Sequence, residues 1–236
     1  MSSEFQGVIK ELSAQVLQSR NASFKLHPQL KSAMSRTESV LQSLLRQKIS
    51  TDFKVKCSVG NGNWAAVPWV CALNPSVTNS TQEGHYLSIL FRNDLKAVFV
   101  GLGIGVTKYQ SSGRSGKQLI DDHVAKLRMA VIERKELNVD HDLIWDSDFD
   151  LKVTGRLPDD YKRATIFTRM FEIDNLPDDE ALLDYLVVID NASNAIKSEF
   201  VRLQNEFEKG REEPVLSDED EREEIALGTI LWDEHL

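Results

Sequence analysis

The spacing of apolar residues changes near residue 50, and this change most limits what the chain can fold into. Before it, over residues 2–19 and 28–48, apolar side chains recur every three or four positions, which predicts two helices. After it, residues 53–59 alternate between apolar and polar, a period of two that is typical of a strand. The Gly-Asn-Gly-Asn run at 60–63 then predicts a tight turn.

The rest of the chain continues this pattern of strands and helices. The sequence predicts strands at 64–73, 86–92, 97–102 and 165–171, and helices at 116–137 and from about 177 to 209. Pro68 cannot donate a backbone hydrogen bond, so its strand is expected at a sheet edge or with a bulge. Residues 139–160 are expected to be irregular, anchored by Trp145 and Leu151. The predicted class is α+β, with a central mixed or antiparallel sheet flanked by N-terminal and C-terminal helices.

Charge is distributed unevenly along the chain. The net charge is -9, yet residues 1–120 hold 14 Lys+Arg against 6 Asp+Glu, whereas residues 171–236 hold 5 against 20. A basic front half suits contact with phosphate, and an acidic tail would stay away from it. Both runs are also compatible with ordinary solvated surfaces. We expect one domain over residues 1–210 and an acidic, flexible tail over residues 211–236.

Several patterns resemble catalytic motifs without completing them. The G-x-G-x-G run at 101–105 follows a strand but lacks dinucleotide-binding spacing, and we attribute it to backbone crowding or a tight turn. Asp150-Leu151-Lys152 has the carboxylate–x–lysine spacing of many metal nucleases, a triplet that is also common by chance. The five histidines are scattered, with no pair at ligand spacing. We therefore predict no enzyme, no cofactor and no metal site, and a nuclease remains a minor alternative.

The expected cellular setting is the cytoplasm. No apolar run reaches the length of a membrane span, and the N-terminus has acidic residues where a secretory signal would be basic and then apolar. Cys57 and Cys71 are expected to be reduced thiols in strands, because no nearby cysteine or histidine set could hold a metal.

One stretch, residues 54–105, carries a more specific pattern. A basic strand ends in G-x-G-N-aromatic at 60–64, followed by V-P-W at 67–69; G-x-Y at 84–86 leads into a strand ending Leu-Phe at 90–91. This stretch resembles the McrB-like N-terminal domain family, and the likeness extends over roughly residues 1–200. The resemblance implies a reader of modified cytosine in DNA that flips the base out of the duplex.

The resemblance also implies site residues. The flipped base would enter a pocket of Trp69, Tyr86 and Leu90, whose aromatic faces would replace lost stacking. The turn that meets the resulting gap would use Asn61, Asn63 and Trp64. In the family pattern a tyrosine fills this gap, and Asn61 stands at that position here. Either Trp64 compensates or the gap stays unfilled.

Phosphate contacts are expected from three basic residues, Lys54, Lys56 and Arg92, which would position the duplex without reading its sequence. Each candidate also has a plain structural interpretation, as a core residue or part of a solvated strand face.

Two functions remain open at this point. The first is the modified-DNA reader, the specificity component of a modification-dependent restriction and antiviral defence system. The segment after about residue 200 is too short for the motor or nuclease modules of such systems, so a separately encoded nuclease or NTPase would act as partner, with residues 225–232 as the candidate docking segment. The second is a protein–protein interaction module of the same fold without base reading.

Overall fold

The periodic segments form helices close to where the sequence predicts them. The computed structural model describes residues 3–49, 52–110, 113–134 and 143–212. Within these ranges the helices are α1 (Glu4–Ser19), α2 (Pro28–Lys48), α3 (Thr107–Gln110), α4 (Gly113–Ile132), α5 (Arg156–Ala164) and α6 (Asp179–Glu212), with a 3-10 turn at Ile173–Asn175.

The strands form one five-stranded sheet. They are β1 (Lys54–Asn61), β2 (Asn63–Leu73), β3 (His85–Phe91), β4 (Ala97–Ile104) and β5 (Thr165–Glu172), in spatial order β1-β2-β3-β4-β5. Every pairing among them is antiparallel. The predicted α+β class is confirmed, and the sheet is antiparallel rather than mixed.

Pro68 lies in an interior strand, so the expectation of a sheet edge is wrong and the expectation of a bulge is confirmed. The pairing of β1 with β2 jumps from Ser58 opposite Trp69 to Gly60 opposite Trp64. Pro68 falls inside this irregular stretch, where its missing amide hydrogen costs no ladder hydrogen bond.

The two faces of the sheet are covered by different elements. On one face lies α6, whose Tyr185 hydroxyl donates a hydrogen bond of 2.9 Å to the carbonyl oxygen of Val100 on β4. On the opposite face, Leu90 and Phe99 pack with Phe149 and Leu151 from the segment before α5. We call this second side the front face, because the candidate site lies on it.

Hydrogen bonds to the first residue of α6 connect this helix to the start of α1. Asp179, the first residue of α6, accepts hydrogen bonds from the backbone amides of Glu4 and Phe5 at 2.9 Å each. The Ser3 hydroxyl donates to the same carboxylate at 2.6 Å and accepts from the Gln6 amide at 3.2 Å. The Asp179 carboxylate thus accepts hydrogen bonds from amides at the start of α1 that have no partner within that helix.

The segment predicted to be irregular contains a helix. Leu151 is buried and Trp145 packs on Phe167, as expected of anchors. Residues from Arg156 onward, however, form α5, which the sequence analysis missed. At nine residues, this helix is too short to show a clear apolar period, and tertiary packing stabilises it.

Two compact units divide the chain, Met1–Phe200 and Val201–Leu236. The acid-rich run and residues 225–232 lie outside the described residues, so the predicted boundary at residue 210 stays a prediction. None of the described helices is long and apolar enough to cross a membrane.

Candidate nucleic-acid interface

The register of the sheet brings together the three residues expected to form a base pocket. Trp69 on β2 lies directly opposite Leu90 on β3, and Tyr86 lies four residues before Leu90, on the same face of its strand. All three line one cavity of about 190 Å³ on the front face. We call this cavity the sheet pocket. Its lining also includes Cys71, Thr81, Gln82, Ser88, Gly103, Ile104, Val106, Thr107, Leu157, Tyr161, Ala164 and Thr165.

The floor of the sheet pocket is made by small residues. Gly103 pairs with Tyr86, and an added Cβ there would approach the Ser88 hydroxyl to 3.8 Å and the Ala164 carbonyl oxygen to 3.3 Å. The Ser88 hydroxyl makes no side-chain hydrogen bond within the described part of the chain. It can therefore donate to, or accept from, a ligand that reaches the floor.

Helix α5 supplies the wall opposite the sheet. Tyr161 packs against the cluster that includes Leu90 and Phe99, together with Trp69. Burial raises the pKa of the Tyr161 hydroxyl, and a hydrogen bond from the Trp69 side chain opposes this rise. Because indole can only donate, the Tyr161 oxygen is the acceptor in this contact.

The polar groups of the pocket are neutral at physiological pH. The Tyr86 hydroxyl donates to the carbonyl oxygen of Thr81 at 2.8 Å, and burial raises its pKa well above the usual range. Burial also raises the pKa of the Cys71 thiol to about 12. Cys57 and Cys71 are both free thiols, in β1 and β2, as expected. The site suits an uncharged, flat ligand rather than an anion.

Lys54 and Lys56 flank the sheet pocket on the front face. Lys56 pairs with Cys71 and Lys54 with Leu73, so both side chains share the face of Trp69. The two ammonium groups are exposed and bind the Asn79 side-chain oxygen at 3.0 Å and its carbonyl oxygen at 3.3 Å. Neither bond neutralises a lysine, so both charges remain available to phosphate.

Unlike Lys54 and Lys56, Arg92 is mostly buried and paired with carboxylates. Its side chain is only 13% exposed, with Nε at 2.8 Å from the Asp94 carboxylate and Nη1 at 3.6 Å from Glu172 on β5. These two carboxylates already offset its charge. The geometry therefore favours a structural ion pair over the predicted phosphate contact, and the phosphate role of Arg92 stays a prediction that nothing here supports.

The β1–β2 turn projects beyond the rest of the sheet. Asn61 and Asn63 are exposed at its tip, on either side of Gly62, whose φ of 72° favours glycine. Trp64 is held away from this tip: its indole donates to the Ala22 carbonyl oxygen at 2.8 Å and its ring meets Phe24 edge-on at 4.8 Å. Filling a gap in a duplex with Trp64 would first require breaking both contacts.

Residues 11–191 match the family described as "MrcB-like, N-terminal domain", the family that residues 54–105 resemble. The chain belongs to this family. A search of curated proteins found no match. The family is one of DNA-binding, non-catalytic domains, and membership indicates a DNA-binding role in a restriction system.

The motif-like runs of this MrcB-like domain have structural explanations. Asp150 and Lys152 form an ion pair of 2.6 Å within one tight turn, and Lys152 has a φ of 56°. A Cβ on Gly105 would lie 2.3 Å from the Glu83 amide nitrogen, which agrees with backbone crowding. Within the described ranges, no three His, Cys, Asp or Glu side chains are grouped to hold a metal ion.

Among the lining residues that the sequence analysis of this domain missed, three show which signals were available. Ser88 could have been found, because it lies midway between Tyr86 and Leu90 at a spacing of two, on the same face. Gly103 gives no signal apart from its place in the glycine run. Leu157 belongs to the segment predicted to be irregular, and nothing local indicates that it reaches the sheet.

Proposed function

We propose that this chain reads a modified cytosine in double-stranded DNA by taking the flipped base into the sheet pocket. In this proposal it is the specificity component of a modification-dependent restriction and defence system, and a separately encoded nuclease or NTPase supplies the chemistry. Family membership supports the DNA-binding part. The reading of a modified cytosine and the flipping of the base are proposed from the geometry of the sheet pocket.

The observation that carries the proposal is the convergence of Trp69, Tyr86 and Leu90 on one cavity. Their side chains come from neighbouring strands and are held by the ladder rather than by a loop. At about 190 Å³ the cavity is smaller than the ~300–1,000 Å³ typical of drug-sized ligands. It therefore suits a single flat ring better than a nucleotide chain or a peptide.

The energetics favour such a ligand. Extruding a base costs a few kcal/mol of stacking and pairing, and stacking on an aromatic side chain returns about 1–3 kcal/mol. Trp69 and Tyr86 offer such faces, and Leu90 adds an apolar surface. One added methyl group buried there contributes about 0.8 kcal/mol, which corresponds to a preference of roughly fourfold before any gain from tighter packing.

The direct test is a binding titration against duplexes that differ in one central base: cytosine, 5-methylcytosine, 5-hydroxymethylcytosine or N4-methylcytosine. We expect tighter binding of one modified duplex, and a loss of about tenfold or more in Trp69→Ala because a stacking face is removed. Trp145→Ala is the matched control, since Trp145 is half-buried against Phe167 and does not line the sheet pocket.

Equal, weak and salt-sensitive binding to all four duplexes would contradict base reading. It would favour the second candidate, an interaction module. One observation supports that candidate: Met129 and Ile132, 54% and 48% exposed, lie three residues apart on one side of α4. A Met129→Ser, Ile132→Ser double variant that lost a partner while keeping DNA binding would establish it.

A further inference from the structure

An exposed leucine stands at the mouth of the sheet pocket. The large apolar side chains that are exposed in the described residues are Leu17, Met129, Ile132, Leu157, Met170 and Val201. Of these six, Leu157 is the one that also lines the sheet pocket, and it remains 50% exposed. An apolar side chain so placed contacts water in the free protein and would contact whatever covers the mouth.

The backbone on either side of Leu157 is conformationally restricted. Gly155 has a φ of 144°, a conformation that other residues rarely adopt, and it turns the chain into α5. Pro158 is buried in the first turn of α5, where its missing amide hydrogen costs nothing. We call residues 155–158 the α5 corner. Because both of its ends are constrained, the corner presents Leu157 with little loss of conformational entropy on binding.

The charge beside Leu157 suits a phosphate backbone. Arg156 is exposed, and no ion pair or side-chain hydrogen bond of its guanidinium is found within the described residues. Lys54 and Lys56 lie on β1, whereas the α5 corner packs on the front face as the opposite wall. Basic side chains therefore occur both on β1 and at the α5 corner, as expected if a duplex lies across the front face.

A base that leaves the duplex opens a gap in the stack directly in front of the pocket that receives it. Proteins that distort DNA often insert an apolar side chain between base steps, which keeps water out and hinders the return of the base. The turn at Asn61–Asn63 offers exposed amides, and Trp64 is bound to Ala22 and Phe24. Neither presents a free apolar side chain.

We infer that Leu157 is the wedge that enters the duplex when the modified base occupies the sheet pocket, with Arg156 on the adjacent phosphate. This inference rests on the proposed function, because a wedge is needed only if a base is extruded. Leu157 acts on the duplex and not on the base in the pocket. Its contribution is therefore specific to double-stranded DNA.

The experiment compares the native 236-residue chain with its Leu157→Ser variant on three probes that carry the same modified cytosine. They are the matched duplex, the single strand, and a duplex with an abasic site opposite the modified base. For Leu157→Ser we expect about a tenfold loss on the matched duplex, a smaller loss on the abasic duplex and less than a twofold change on the single strand. Leu157→Met should restore native binding, because it keeps an apolar side chain of similar volume.

A spectroscopic probe separates a wedge from a pocket wall. With 2-aminopurine next to the modified cytosine, saturating native protein should increase fluorescence by unstacking the probe, and Leu157→Ser should increase it less. Met129→Ser, an equally exposed apolar position on α4, is the matched control and should behave as the native protein.

The outcomes separate this inference from the proposed function. Equal losses on single strand and duplex would make Leu157 a wall of the pocket and overturn the wedge. Unchanged binding by Leu157→Ser would also overturn it while leaving base reading intact. If the native chain bound modified and unmodified duplexes alike, base reading itself would fail, and the wedge with it.

Discussion

Gly101 and Gly103 lie two residues apart on β4 and face the same side of the sheet. At Gly101 an added Cβ would lie 2.1 Å from the Phe167 carbonyl oxygen and 2.7 Å from the Thr168 Cα, so the absent side chain allows β5 to pair closely. At Gly103 the nearest backbone atom would be the Ala164 carbonyl oxygen at 3.3 Å, which a small shift can relieve. The fold therefore requires a glycine at position 101, whereas Gly103 leaves space in the sheet pocket.

This contrast gives a prediction at the residue scale. Gly101→Ala should lower the free energy of unfolding by about 1–3 kcal/mol through overpacking. Gly103→Ala should leave stability within about 1 kcal/mol of the native value but weaken modified-duplex binding, because the new methyl group occupies the floor. Urea unfolding and duplex titration of both variants check this. Native affinity in Gly103→Ala would show that the ligand does not reach the floor.

At the scale of elements, a buried histidine links the sheet to α6. His85 on β3 donates from Nε2 to the carbonyl oxygen of Ser193 at 3.0 Å and packs edge-on against Phe200. Burial lowers the pKa of His85 from 6.5 to about 4; the bond to Ser193 opposes this shift, and the charge of Lys197 adds to it. The neutral imidazole is therefore part of the packing between β3 and α6.

The sign of the pH effect follows from that shift. Between pH 6.5 and about 4 the unfolded chain binds a proton at His85 that the folded chain does not. Stability should therefore be complete above pH 6.5 and fall by up to about 3 kcal/mol as the pH drops towards 4. Urea unfolding at pH 7.5, 6 and 5 would measure this loss, and His85→Gln should reduce it.

The control for this prediction is Met129→Ser, which replaces an exposed side chain that does not titrate. It should keep the native pH dependence. Burial raises the pKa of nearby Asp190, which acts in the opposite direction, so only the difference between native and His85→Gln isolates the histidine. Identical pH slopes in the two proteins would show that His85 is not the group responsible.

At the scale of the whole molecule, the uneven charge predicts a dependence of DNA binding on salt. Residues 213–236, which follow the end of α6, hold 9 Asp+Glu against 1 Lys+Arg. Repulsion between this segment and phosphate should oppose non-specific binding at low salt and fade as the Debye length shortens to ~10 Å at 0.1 M.

Ending the chain after Glu212 should therefore raise its affinity for unmodified duplex at low salt, with a smaller effect at higher salt. The ratio of modified to unmodified affinity should not change, because the residues that line the sheet pocket all lie before residue 201. The 236-residue chain with the acidic residues of 218–224 replaced by Asn and Gln should behave as the truncated one. Unchanged non-specific binding in both would exclude an electrostatic role for the tail.

Sequence patterns predict most of the elements of the MrcB-like unit and their order, although they miss α3 and α5. Local period decides whether a segment forms a helix or a strand and which side chains share a face, so α1, α2 and β1 to β5 were found near their observed bounds. The same rule places Tyr86, Ser88 and Leu90 together on β3. The likeness of residues 54–105 to a known family then indicated Trp69, Tyr86 and Leu90 as one site.

The tertiary structure alone decided the remaining features, because they depend on contacts between residues far apart in the chain. Packing of α5 on the sheet closes the pocket and brings Leu157 to its mouth. Glu172 from β5 helps to offset the charge of Arg92, and Ala22 holds Trp64 away from the turn. Local sequence encodes which face a side chain takes, whereas register and packing decide which distant groups it meets.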